Sequence, residues 1–410
     1  MAKERMIAGL DLGTTKVCAI IGEMTANGEV KIVGMGTAAS YGIRRGMVVN
    51  IDQTAAAIAK AIGDAERMAG VKVGSLHTGI AGDHIRGLNS RGVVAVSDPD
   101  RGITGEDVRR VFDAAKAVAI PKDRSIIHLL PQGFIVDDQP GIKEPIGISG
   151  IRLEAKVYIV TGAVTAAQNI YKSVNQAGRR IKELVLQPLA SSYAVCSPDE
   201  VELGVAVIDI GGGTTDIALF FEGALRYTAV VGLGGTNVSK DIAIGLSTPL
   251  DRAEQIKKEH GCALLSMVDE KEKIQVPMVG GRPPREVPKS FLASIIQPRM
   301  EEIFSFALRE IQQSDYAELL PAGIILTGGG AMLEGSAQLA EQVFGMPTKI
   351  GIPQGVTGIT DAIQTPIYST AVGLLRYPVS RADQKIQKDR YQLGSSGTFD
   401  KIKQWFKDFF

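Results

Sequence analysis

The sequence predicts an α/β protein of two similar lobes that face each other across a cleft, with a small inserted α/β subdomain and an amphipathic helix at the C-terminus. Three observations carry this. Val205 to Phe220 reads VAVIDIGGGTTDIALF, an apolar strand that ends on Asp209, a turn of glycine and threonine, and a second strand. Roughly two hundred residues earlier, Ile7 to Ile20, IAGLDLGTTKVCAI, repeats the plan around Asp11, so the chain holds two homologous halves. The last dozen residues, FDKIKQWFKDFF, segregate aromatic from charged side chains at helical spacing.

Each of the two turns has the chemistry of a phosphate-binding hairpin. Gly13 in the first and Gly211, Gly212 and Gly213 in the second let backbone N–H groups approach an anion and permit positive φ. Thr14, Thr15, Thr214 and Thr215 add hydroxyl donors, and Lys16 adds a positive charge. Two such hairpins imply a nucleotide gripped by its phosphates, with Asp11 and Asp209 sharing one Mg²⁺ through the water shell that this ion keeps.

Composition excludes several alternatives. At 410 residues with 45% hydrophobic and 22% charged, the chain is ordinary globular material large enough for several domains. Its formal net charge is zero, so no global field points to nucleic acid. Cys18, Cys196 and Cys262 lack CxxC spacing and read as reduced packing residues of a cytosolic protein. His77, His84, His128 and His260 form no metal-ligand pattern. Neither a signal peptide nor a transmembrane helix is expected.

Taken in order, residues 1–86 make the first lobe: after the hairpin come a strand from Val30 to Ala39, a short one from Gly46 to Asn50, and a helix from Gln53 to Ala69. Asp52 is its expected N-cap and Gly70 its stop. Strands first and then a crossover helix is the RNase H-like build. Residues 87–156 depart from it and form the inserted subdomain. They hold a strand from Val93 to Val96, a capping box at Thr104 to Asp107 opening a helix to Ala117, strands at Ser125–Leu130, Phe134–Asp137 and Leu153–Val160, and a polar loop over Gln139–Gly150.

Residues 157–203 return to the first lobe with a helix from Val164 to Ala177 and then ELVLQPLASSYA. There the amide of Gln187 could orient a water for in-line attack on a γ-phosphate, with Asp11 and Asp209 as the other candidate catalytic residues, or could simply end the strand. The second lobe starts at residues 204–245, where Gly234, Gly235 and Asn237 lie in a turn that opens a helix suited to phosphate or ribose contacts. Residues 246–315 are its outer part. Thr248, Pro249 and Asp251 begin a helix there in which Glu254 and Lys257 either bracket an adenosine or form a solvated pair. Ile274–Val279, a GGRPPREVP loop and a helix from Lys289 to Gln313 complete it. Residues 316–379 bring Ile324–Leu326, the turn Gly328-Gly329-Gly330 with Met332 opening a helix, and a final globular helix capped by Thr365-Pro366, whose Ala371 and Gly373 permit close crossing between lobes.

Residues 380–398 are polar without an apolar face and read as a disordered linker. In residues 399–410, Phe399, Ile402, Trp405, Phe406, Phe409 and Phe410 occupy an arc of roughly 140°, the pattern of a helix that lies in a membrane surface. Burying that face contributes on the order of 10 kcal/mol, and ordering the segment costs about as much. Firm attachment therefore needs several tails on one assembly, which argues for self-association.

The set DLGTTK, DIGGGTTD, LQPLASS, AEQIKKEHG and LTGGGAM, in this order, resembles the five nucleotide-binding segments of the actin, MreB and heat-shock chaperone ATPase superfamily. Within it, GIRRGMVVNID at Gly42–Asp52, the insertion, GGRPPRE at Gly280–Glu286 and the amphipathic C-terminus resemble the FtsA family of bacterial division proteins. The resemblance implies an actin-like fold in which the usual subdomain 1B is missing and a differently placed subdomain, the insertion, takes part in polymer contacts. It implies ATP with Mg²⁺, Glu254 and Lys257 as adenosine contacts, and Gln187 in the water-orienting position, with an ATPase rate left open. It further implies a homopolymer at the division site on the cytoplasmic face of the membrane, and an FtsZ C-terminal peptide bound through Arg285 and Arg299. Other division partners would meet the insertion. A PilM-like pilus-assembly homologue and, less well, a small-molecule kinase of the superfamily are the alternatives.

Overall fold

The computed structural model describes residues 6–25 and 28–391, with 381–391 as helix backbone alone. Two sheets repeat one plan. In the first lobe Met6–Leu12 pairs antiparallel with Lys16–Met24, which pairs with Val30–Ala39, while Ser75–Ile80 joins parallel to Met6–Leu12. In the second lobe Val205–Ile210, Thr215–Phe221 and Ala224–Val231 form the same antiparallel run, and Ile324–Thr327 joins parallel. The repeated hairpin is thus a repeated fold. Arg180–Leu186 and Val356–Gly358 flank the first sheet, and Thr348–Ile350 the second.

Small residues set how closely layers approach. The helix Ile51–Ala69 lies directly on Val30–Ala39, where a Cβ on Gly36 would sit 2.1 Å from the Ala61 carbonyl oxygen. Between the two sheets run the helices Gln187–Val195 and Ser369–Tyr391. Leu189, Ala190 and Ala194 of one and Ala371, Leu374 and Leu375 of the other share a core with Val205, Val207 and Ile325 of the second sheet. Their crossing is tight, since a Cβ on Gly373 would lie 1.7 Å from the Ala190 carbonyl oxygen. The opposite face of the second sheet is covered by Gly235–Leu246, Leu250–His260 and Lys289–Gln312.

The inserted subdomain is a sheet in the order Arg86–Ala95, Arg152–Ala163, Arg124–Val136, Gln139–Ile142, backed by the helix Gly105–Lys116. Thr104 and Asp107 form the expected capping box. The two strands expected at Ser125–Leu130 and Phe134–Asp137 are one, because Pro131-Gln132-Gly133 is absorbed as a bulge against Lys156 and Val157. Gln139–Ile142, expected as loop, pairs back onto Phe134–Val136.

Several boundaries move for local reasons. Asn50, not Asp52, caps the first helix, its Oδ1 accepting from Gln53 N at 2.9 Å. Thr248 does not cap its helix; its hydroxyl donates to the Pro277 carbonyl at 2.6 Å, and the helix starts at Leu250. Arg285–Pro288, expected as loop, is a strand paired with Lys273–Val276. The helix expected from Met332 begins at Ser336, because residues 329–332 form a separate 3₁₀ turn. The return helix runs through Pro378 to Tyr391, into the segment read as linker, where Arg381, Ala382, Gln384, Lys385, Gln387 and Lys388 are straight-chain or small helix formers. The rest of that linker and the amphipathic segment 399–410 lie outside the described residues.

Candidate functional site

The two hairpin turns face each other at the mouth of the cleft. A Cβ on Gly212 would lie 2.5 Å from Thr15 Cγ2, and one on Gly213 would lie 2.8 Å from Thr14 Oγ1. Each turn is closed by its own backbone bond, Gly13 N to Lys16 O at 3.0 Å and Gly211 N to Thr214 O at 2.9 Å. Behind the turns both aspartates are buried at strand ends. Asp11 Oδ1 accepts from Gln187 Nε2 at 3.2 Å. Asp209 Oδ2 accepts from Ser191 Oγ at 2.6 Å and Thr370 Oγ1 at 3.1 Å, so the two helices between the lobes hold this carboxylate.

A third carboxylate, Asp216, was not singled out from the sequence, although it closes the DIGGGTTD motif and pairs across the hairpin with Asp209. Thr214 Oγ1 donates to its Oδ2 at 3.1 Å, and its buried Oδ1 has no hydrogen-bond partner among the described residues. Burial pushes Asp216 up to about 8, reinforced by the charge of Asp209 and opposed by the Thr214 hydroxyl, with Asp83 and Asp11 adding to the rise. Burial also raises Asp11 to about 6, Lys16 opposing and Asp209 adding. Asp209 is raised by burial against the pull of Ser191, Thr370 and Lys16. Lys16 itself donates to the Ile367 carbonyl at 2.6 Å and lies over the Tyr368 ring at 3.9 Å.

A cluster of carboxylates this reluctant to ionise together, one oxygen of it unpartnered, suits a divalent cation. No group of three or more His, Cys, Asp or Glu among the described residues is placed to grip an ion directly.

The outer half of the cleft is assembled by the second lobe. Gly235 N and Thr236 N donate to the carbonyls of Gly211 and Gly212 at 2.9 and 2.8 Å. These N–H groups therefore brace the phosphate hairpin instead of facing a ligand. Asn237 Oδ1 accepts from Gly234 N at 3.2 Å and ties the turn off. Glu254 and Lys257 are no solvated pair: Lys257 Nζ is buried and donates to Gly235 O at 2.9 Å, Ser239 Oγ at 2.9 Å and Glu254 Oε2 at 2.6 Å. The glycine turn at Gly328 presses on the second-lobe aspartate, where a Cβ would lie 2.3 Å from Asp209 Oδ1. Gly329, Gly330 and Met332 follow in the 3₁₀ turn, with Met332 half exposed.

The two arginines of the outer lobe differ. Arg285 is exposed on its strand. Arg299 is clamped by Asp241, with Nε to Oδ2 at 2.5 Å and Nη2 to Oδ1 at 3.2 Å, and by Glu302. Its charge is already spent within the protein.

Comparison with known proteins agrees with this architecture. The family model "Cell division protein FtsA" matches residues 206–373, and "SHS2 domain inserted in FTSA" matches residues 82–161. The cell division protein FtsA of Pseudomonas aeruginosa is 49% identical over 96% of this chain and 93% of its own length. The chain belongs to the FtsA family. The FtsA of Neisseria meningitidis is 45% identical over 100% of this chain and 99% of its own, and that of Escherichia coli K12 is 40% identical over 98% of each. Among solved structures, a PilM–PilN type IV pilus biogenesis complex aligns with TM-score 0.65 at 17% identity, covering 91% of this chain and 98% of that one. MreB5 of Spiroplasma citri bound to ADP aligns with TM-score 0.55 at 13% identity, covering 96% and 100%. These two share the actin-like fold; the family is FtsA, a family of cell division proteins, and the pilus-assembly reading is not supported beyond fold.

Proposed function

We propose that this FtsA-family chain binds ATP with Mg²⁺ between its lobes, polymerises on the cytoplasmic face of the membrane, and ties the FtsZ ring to it during division. The observation that supports the nucleotide reading most is the pair of opposed hairpins with Asp11, Asp209 and Asp216 buried behind them. Asp11 and Asp209 would hold Mg²⁺ through its waters, and the ion would supply charge neutralisation at the phosphates. Gly13, Thr14, Thr15, Lys16 and Gly211–Thr215 would bind the phosphates, while Glu254 and Lys257 would fix the adenosine end. Gln187, whose Nε2 donates to Asp11 Oδ1 at 3.2 Å, would orient a water, with weak ATPase activity as the consequence to be tested.

The outer second lobe offers a surface for a short peptide with apolar and acidic side chains. Ile244 is 78% exposed near the end of its helix, and Val279, also exposed, is tied to the residue that follows that helix, its N–H donating to Ser247 O at 3.1 Å. Arg285 lies on the adjoining hairpin, paired with Val276. Residues 399–410 would anchor the assembly to lipid, and other division proteins would meet the insertion. Among the described residues no helix is long and apolar enough to cross a membrane.

The test is a fluorescence-anisotropy titration of a labelled FtsZ C-terminal peptide against ATP-loaded protein. Saturable binding is expected, weakened roughly tenfold or more by Arg285→Glu. Absence of binding by folded wild type would overturn the adaptor reading.

A further inference from the structure

The inserted subdomain does more than project from the first lobe: it is bonded to both lobes through one face of its sheet. Val157 and Ile159 belong to its own core with the helix Gly105–Lys116, whereas Tyr158 and Val160 belong to the core of the main body. Alternation along a strand explains this division. Tyr158 pairs across to Leu130 and Val160 to His128, so Tyr158 and His128 lie on the same, inward face.

Those two side chains reach different lobes. His128 Nε2 accepts from Leu186 N at 2.9 Å, a buried bond to the first-lobe residue that immediately precedes Gln187. Tyr158 Oη accepts from Thr228 N at 2.9 Å, also buried, on the edge strand Ala224–Val231 of the second lobe. An edge strand leaves a row of unpaired backbone groups, and the insertion satisfies two of them. Besides Thr228 N, the Leu225 carbonyl accepts from Gln132 Nε2 at 3.3 Å. Lys143 adds an exposed ion pair at 2.8 Å to Glu202, whose backbone carbonyl accepts from Glu222 N of the second lobe at 2.9 Å. At the Tyr158 position there is no slack, since a Cβ on Gly87 would fall 1.8 Å from its hydroxyl oxygen.

From this geometry we propose that the insertion is a clamp on the cleft, with Tyr158 its hold on the second lobe and His128 a positioning residue for the strand end that leads into Gln187. The lobes can separate only if the insertion releases the Ala224–Val231 edge. Breaking the Tyr158 bond strands a buried N–H. Whatever docks on the outer surface of the insertion therefore acts on the cleft.

This rests in part on the nucleotide reading, and the experiment separates the two. Hydrogen–deuterium exchange is measured on full-length wild type and Tyr158→Phe without nucleotide. Faster exchange is expected at 224–231 and also at the cleft turns 11–16 and 209–215. A change confined to 224–231, or none, overturns the clamp irrespective of any ligand. Release of a fluorescent ATP analogue is then followed by stopped flow, with about fivefold faster release expected in Tyr158→Phe. If wild type does not bind the analogue, the nucleotide reading fails and the exchange result still decides the clamp. Should Tyr158→Phe not fold, a short bismaleimide joining Lys143→Cys to Glu202→Cys replaces it. Slower exchange at the cleft turns on cross-linking supports the clamp, and unchanged exchange overturns it. For His128, replacement by Gln, which keeps an acceptor, is expected to preserve hydrolysis per bound nucleotide, and replacement by Leu to lower it at unchanged affinity. Equal behaviour of the two removes the positioning role.

Discussion

Asp216→Asn tests whether the cleft stores electrostatic tension that a cation relieves. Asn keeps the size of the side chain and the bond from Thr214, and removes the titration. In the folded protein Asp216 is pushed up to about 8, against 3.8 unfolded. Above pH 3.8 the native state therefore holds a proton that the unfolded chain has released, so stability falls as pH rises and levels off above 8. Asp11, raised to about 6, exerts most of its effect below pH 6. Between pH 6 and pH 8 the linkage relation gives Asp216 a loss of about 2 kcal/mol, while His77 and His84, both lowered by burial, shift the wild type and the variant alike, so the difference between the two proteins reports Asp216. For a lobe of this size that corresponds to about 4–8 °C in Tm. The assay is differential scanning calorimetry in EDTA at pH 6, 7 and 8. Wild type is expected to lose that increment relative to Asp216→Asn, with millimolar Mg²⁺ narrowing the difference. Parallel curves for the two proteins would refute the argument.

Other consequences follow from single contacts. Gly373→Ala places a methyl group against the Ala190 carbonyl and is expected to cost about 3 kcal/mol, read by thermal melting; an unchanged melt would show that the helix pair has room. Lys257→Met removes the ammonium shared by Gly235, Ser239 and Glu254, and ATP affinity measured by calorimetric titration is expected to fall about tenfold. Arg299→Glu sets a third carboxylate beside Asp241 and Glu302, so it is expected to lower Tm, whereas Arg285→Glu is expected to leave Tm unchanged. Removing residues 399–410 is expected to abolish flotation with anionic liposomes at unchanged Tm.

The sequence alone determined the two hairpins, their order, and the α/β build of both lobes. A Gly-Thr turn after an apolar strand is a local device, and its repetition needs no three-dimensional information to be noticed. The capping box at Thr104 was legible for the same reason. Tertiary structure decided what depends on partners distant along the chain. From their spacing Glu254 and Lys257 read as a solvated pair, and only the resemblance made them ligand contacts, until Ser239 and Gly235 closed around the ammonium. Arg299 looked available until Asp241, on another helix, neutralised it. Asp216 stands one strand from Asp209, yet its burial among three other carboxylates arises only when both lobes and both central helices meet. The roles of Tyr158 and His128 are further from the sequence still. An inward-facing Tyr and His two residues out of register read as core, and only the placement of an unpaired sheet edge opposite one of them gives the pair a purpose. Local propensity writes the elements, but desolvation and the pairing of buried polar groups are decided by whichever side chains the fold brings within about 3 Å.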